Sequence, residues 1–220
     1  MATKSGPSTV VLVTLLSHLI AVVVTVLLLV WLLHFRGGLA LHSAIKTKIF
    51  NVHPLLMVIG IILIEGEAIM IYRTVPIKKE AQKLLHLMMH LIAIILGIIG
   101  IYAVFKYHNE SNILNMFSLH SWMGLTTICL LGLQWLGSFL SFVFPGVHSR
   151  HRESYLPLHV IAGVTVFIMA VCTAEMGLVE KFFFVQLQKG KEAHIVNFTG
   201  LLIFLFGVTV VLTVVLSRRF

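Results

Sequence analysis

Six uninterrupted apolar runs, each long enough to cross a bilayer, constrain this chain more than any other feature. They are Val10–Leu33, His53–Tyr72, Leu84–Phe105, Phe117–Phe144, Tyr155–Leu178 and Ile195–Leu216. A spanning helix needs roughly 20 mostly apolar residues, and backbone groups in hydrocarbon must find their partners within a helix or a closed barrel. The runs lack the strict alternation of barrel strands. The fold class is therefore all-α, an integral membrane six-helix bundle. Residues are 59% hydrophobic and 11% charged, whereas soluble domains run to about a quarter charged. Residues 1–220 read as a single transmembrane domain without a linker.

Six crossings put both termini on one side of the membrane. Lys4, Arg73, Lys78, Lys79, Lys83, Arg150, Arg152, Arg218 and Arg219 fall on that side. Arg36, Lys46, Lys48, Lys106, Lys181, Lys189 and Lys191 fall on the other. The positive-inside bias, nine against seven, favours cytoplasmic termini. The first run lacks a basic start and a small-residue cleavage site, and it exceeds a signal peptide's apolar core, so it reads as retained. The net charge of +8 is assigned to membrane flanks and acidic ligands; no basic soluble domain exists to carry nucleic acid. Cys129 and Cys172 fall inside runs four and five as small packing residues.

Four histidines, His53, His86, His120 and His159, stand at the starts of runs two to five. Successive starts alternate between faces, so His53 and His120 share one face and His86 and His159 the other. Pro54 and Pro157 suit first helical turns beside two of them. Ionisable residues in membrane helices are costly and mark function. A lone membrane histidine is most simply a packing residue, but four at matching depths suit two stacked b-type haems. Zinc would gather three or four ligands in one place, with carboxylates or thiolates helping. This chain has no Asp, and its two Cys lie far from the histidines. Gly60, Gly97, Gly100, Gly124 and Gly163 offer clearance for a flat macrocycle or simply close helix packing. The helical rise predicts irons on the order of 20 Å apart.

His90 follows His86 by one turn on the same face, so either satisfies the geometry of a ligand. His18 has no obvious partner and reads as structural. Glu65 lies about two turns inside run two and reads as a partner for a histidine or a structural hydrogen bond. Glu175 and Glu180 approach the far-side histidine level, where cofactor hydrogen bonding competes with solvation.

The four histidines, "GEAIMIYR" (Gly66–Arg73) closing run two and "SLHSW" (Ser118–Trp122) opening run four together resemble the cytochrome b-561 family of transmembrane ascorbate-dependent oxidoreductases. The first segment departs from the family's usual form in Thr74, Val75 and Pro76. The resemblance covers all six runs, is strongest in the central four, and is closest to plain plant-type members. It implies two bis-histidine haem b groups in the four-helix core of helices two to five. His86 and His159 would hold the cytoplasmic one, and His53 and His120 the other. It implies cytoplasmic ascorbate as donor, monodehydroascorbate or a ferric chelate as acceptor, and a homodimer in a plasma membrane or endomembrane, vacuolar or vesicular.

Ascorbate and haem propionates are anions, which directs attention to cations at both faces. Lys79, Lys83 and Arg152 flank the helices of His86 and His159 and are the candidate donor contacts; Arg73 serves a propionate or the substrate. On the other face Lys106, Tyr107 and His108 are candidate acceptor contacts, although a membrane-interface belt explains Tyr107 as well. Asn115, Ser118 and Glu180 are candidate cofactor contacts. Lys83 and His108 are the candidate catalytic groups, one per face. The rival functions are a quinol-oxidising dihaem subunit of a respiratory complex and a histidine-bearing metal or proton transporter.

Overall fold

The computed structural model describes residues 7–146 and 148–217. Lys4, Arg218 and Arg219, counted above, lie outside the described residues. Six helices are long and apolar enough to span a membrane: α1 (Thr9–Phe35), α2 (Lys46–Thr74), α3 (Lys79–Glu110), α4 (Leu119–Val143), α5 (Ser149–Phe184) and α6 (Lys191–Leu216). The protein is an all-helical, multi-pass membrane protein. Packing pairs α1 with α6, α2 with α3, and α4 with α5, and α5 also packs on α6. The start of α1 marks the proximal face and its end the distal face.

Helices α1, α2, α3, α5 and α6 outrun their apolar runs, whereas α4 stays inside its own. α2 begins at Lys46 and α5 at Ser149, because polar turns beyond the hydrocarbon still form helical bonds. Pro54 and Pro157 are consequently inside helices instead of opening them. Proline lacks an N–H, so each leaves the carbonyl four residues earlier, Phe50 and Glu153, without its helical donor. His53, His86 and His159 likewise sit within helices, whereas His120 is in the first turn of α4. Hydroxyls in the spans fold back onto their own helix: Thr14, Ser17, Thr25, Thr127 and Thr199 each donate to the carbonyl four residues before. That satisfies them without a partner chain in lipid.

Three stretches widen to i→i+5 bonding: Trp31–Phe35, Met57–Ile64 and Phe139–Val143. Such turns add a residue to a helix without lengthening it proportionately. The core is built from Val24, Leu28 and Trp31 of α1, Ile62 and Met70 of α2, Phe167 of α5, and Ile203 and Phe206 of α6. Leu12, Leu15, Leu19, Ile98, Leu133 and Phe204 are exposed on the outer surface, as lipid contact requires. Between α1 and α2, buried Asn51 donates to the carbonyls of Arg36 (3.0 Å) and Gly38 (2.8 Å). That loop turns through positive φ at Gly37 and Gly38, which glycine tolerates without strain.

Candidate functional site

At the distal end His53 of α2 faces His120 of α4, with ring centres 6.1 Å apart and planes at 86°. His53 Nδ1 lies 3.1 Å from the Gly100 carbonyl of α3. His120 Nδ1 lies 2.9 Å from the Thr173 carbonyl of α5. A carbonyl oxygen only accepts, so both Nδ1 atoms carry the proton and both Nε2 atoms keep a lone pair. At the proximal end His86 of α3 faces His159 of α5, with ring centres 6.2 Å apart. His86 Nδ1 donates to the Ala68 carbonyl (2.7 Å). His159 Nδ1 lies 2.8 Å from Ser138 Oγ, whose hydrogen goes to the Gln134 carbonyl (2.6 Å). The hydroxyl lone pair is thus free to accept from His159. Gln134 Nε2 closes the cluster, donating to the His159 carbonyl (2.7 Å) and standing 2.9 Å from His159 Nδ1. Fourteen residues of α3 separate His86 from Gly100, about 21 Å of helix.

Each pair opens on a cavity. The distal cavity, about 460 Å³, is walled by Phe50, Tyr107, His108, Ser118, Glu180 and Lys181 besides its histidines. The proximal cavity, about 590 Å³, is walled by Tyr72, Arg73, Lys83, His90 and Arg152. Both sizes are ordinary for bound organic groups. Gly177 of α5 makes room for the distal pair, since a Cβ there would stand 2.6 Å from His120 Cε1. Sequence reading singled out five other glycines and passed over this one; its signal is the four-residue step from Thr173 on one face of α5.

Of the donor-side candidates, Arg73, Lys83 and Arg152 come together in the proximal wall. Lys79 is exposed in the first turn of α3, outside that wall. Of the acceptor-side candidates, Tyr107, His108, Ser118 and Glu180 share the distal wall. Ser118 Oγ donates to Glu180 Oε2 at 3.1 Å. Asn115 and Lys106 stand one layer out. Asn115 Oδ1 is 3.2 Å from His108 Nδ1, and Lys106 Nζ is 2.6 Å from His42 Nδ1 and 3.8 Å from Glu110.

His90 lies edge-on to His86, ring centres 4.3 Å apart, with Nδ1 3.0 Å from Glu65 Oε1. Buried Glu65 thus does accompany a histidine. His18 has a partner after all: its Nδ1 is 2.8 Å from Glu67 Oε1. The pairing escaped sequence reading because the two residues are 49 positions apart.

A metal bound to two imidazoles through bonds of about 2 Å, with roughly 1 Å more to each ring centre, sets the centres about 6 Å apart. Both pairs meet that spacing. Among the described residues no three His, Cys, Asp or Glu side chains gather as a metal cage. Two facing neutral imidazoles beside a mostly apolar cavity suit a group that brings its own equatorial ligands, as haem does.

Fold and paired histidines define a class of multi-pass membrane proteins that hold a prosthetic group inside the helical bundle. The family model for eukaryotic cytochrome b561 matches residues 52–185, and the chain belongs to that family, which implies haem b. It is 48% identical over 211 residues to probable ascorbate-specific transmembrane electron transporter 1 of Oryza sativa subsp. japonica, covering 94% of this chain and 90% of the relative. Transmembrane ascorbate ferrireductase 1 of Arabidopsis thaliana is 47% identical over 205 residues, 91% of this chain and 86% of the relative. A transmembrane ascorbate-dependent reductase of Mus musculus is 39% identical over 201 residues, 88% and 78% of the two chains.

Proposed function

We propose that this protein carries electrons from ascorbate at the proximal face, through two b-type haems, to an acceptor at the distal face. The observation that carries the proposal is the pair of matched histidine couples, each imidazole with Nδ1 hydrogen-bonded to the protein, three of them to backbone carbonyls. The names of the relatives support the donor, and the ferrireductase name supports a ferric chelate as acceptor, with monodehydroascorbate as the other. His86 and His159 hold one haem and His53 and His120 the other. Bound there, haem would supply one-electron chemistry.

The protein's residues do the rest. The Nδ1 bonds hold each ring's orientation, and the three to carbonyls also fix the tautomer that leaves Nε2 its lone pair. Lys83, Arg73 and Arg152 place positive charge at the proximal mouth and draw in the ascorbate anion. Loss of one electron from that anion also releases one proton to the proximal solvent. Lys79 extends the cationic approach from outside the cavity. Arg73, Lys83 and Arg152 against Glu65 and Glu153 leave this wall net positive among its described residues, which favours an anionic donor over a neutral quinol. At the distal mouth Tyr107 and His108 meet the acceptor, Lys106 adds charge behind them, and Asn115 orients His108. The proximal face is cytoplasmic, and the protein works as a homodimer in a plasma or endomembrane.

Redox spectroscopy of the purified protein on addition of ascorbate tests this reading. Two b-type haems should reduce stepwise. Protein without haem, or haem reduced only by quinol, would overturn it.

A further inference from the structure

The distal cavity contains a cation that the assignments above leave unused. Lys181 of α5 lines the wall with Nζ 3.8 Å from the centre of the Phe50 ring. Among the described residues no carboxylate lies within ion-pair range of it. The ion pairs at this face are Lys46 and Lys106 with Glu110, and Arg36 with Glu192. Glu180, its neighbour in the chain, turns Oε2 to Ser118. A half-buried ammonium in a largely apolar cavity needs an anionic partner, because a ring face offers only part of what water supplies.

Its position narrows the partner. Thr173, Gly177 and Lys181 are spaced by four and share one face of α5. The first accepts the His120 Nδ1 proton, and the second lies against the His120 ring. The third stands one turn further out, about 6 Å toward the distal surface. Phe50 links it inward, with its ring 6.2 Å from that of His53 and 5.1 Å from that of Tyr107.

We infer that Lys181 is the binding residue for a carboxylate at the outer rim of the distal cavity. The inference rests on the proposed haem between His53 and His120. The carboxylate belongs either to that haem's own edge or to a carboxylate-chelated ferric acceptor, and two measurements separate the sources.

In the full-length protein, Lys181→Gln is compared with wild type by spectroelectrochemical titration and by steady-state ferric citrate reduction. If the cofactor supplies the carboxylate, the distal haem becomes harder to reduce by about tenfold in equilibrium, about 59 mV for one electron. The proximal haem stays unchanged. If the acceptor supplies it, the titration is unaltered, KM for ferric citrate rises about tenfold at constant kcat, and KM for cationic hexaammineruthenium is unmoved. Lys181→Arg restores either property. Wild-type apoprotein reconstituted with haem dimethyl ester, which lacks the carboxylate charges and keeps the ammonium, shifts the distal haem the opposite way, toward easier reduction. Lys181→Met, which keeps an apolar stem over Phe50, replaces the glutamine variant should that variant not accumulate. Unchanged titration together with unchanged KM overturns the inference. Full haem content in His120→Ala defeats the underlying haem reading instead.

Discussion

At the distal pair both Nδ1 protons go to backbone carbonyls, of Gly100 and Thr173, whereas at the proximal pair His86 donates to the Ala68 carbonyl and His159 Nδ1 meets the Ser138 hydroxyl and the Gln134 amide. The rims differ too. The proximal cavity carries Arg73, Lys83 and Arg152, with His90 and Glu65 deeper in its wall. The distal cavity is rimmed by Tyr107, His108, Phe117 and Phe184, with Lys181 the one lysine or arginine among its described lining residues. The contrast teaches that equal histidine spacing can be reached with unequal support. A carbonyl held by helix bonds is fixed whatever residue carries it, while a serine acceptor can be tuned or lost by one substitution. The rims differ in the same sense: one concentrates arginine and lysine, and the other offers aromatic surface beside Lys181.

The largest effects should come from the ligands themselves. His53→Ala or His120→Ala removes the distal haem and His86→Ala the proximal one, so haem per protein falls by half; His90→Ala retains both. Haemochrome assay decides, and loss of haem in His90→Ala with retention in His86→Ala would exchange the two roles. Gly177→Val should come next, because a side chain at that point meets His120 Cε1 and must push the ring off its Thr173 acceptor. Distal haem occupancy should drop while the proximal spectrum persists. An intact distal spectrum would show that α5 can retreat.

Lys83→Ala should slow reduction by ascorbate about tenfold with haem content intact, the scale expected for one charge-assisted contact of about 1.4 kcal/mol. Stopped-flow reduction measures it, and unchanged kinetics would exclude Lys83 from the donor site. The smallest effect is Ser138→Ala. It deprives His159 of its hydroxyl acceptor at a cost of about 1 kcal/mol, read as weaker retention of the proximal haem under mild denaturant. A larger loss at the distal haem would reverse the comparison.

Hydropathy revealed the six spans because bilayer thickness imposes one length on all of them. It hid the helix ends, since turns such as Lys46–Val52 are polar yet helical. It also hid the widened stretches, because apolar residues look alike whether bonding runs to the fourth or fifth neighbour. The alternation of helix starts between faces was enough to pair His53 with His120 and His86 with His159. Their acceptors were invisible: Gly100, Ala68 and Thr173 contribute carbonyls, which every residue possesses. Gly177 and Lys181 escaped for a related reason. Each matters through a step of four along α5, measured from a residue whose own role was unknown. Lys181 had been weighed only as a flank charge.

The widened stretch Met57–Ile64 lies midway along α2, between His53 and the Ala68 carbonyl that holds His86. One helix therefore meshes with both ends of the electron route like a shaft with two gears. Each residue turns that shaft by about 100°. Losing a single residue from the stretch would leave its hydrophobicity intact while throwing one gear out of phase with the other. Chain length here is thus as strict a requirement as chemical character, and deletions should be far less forgiving than substitutions.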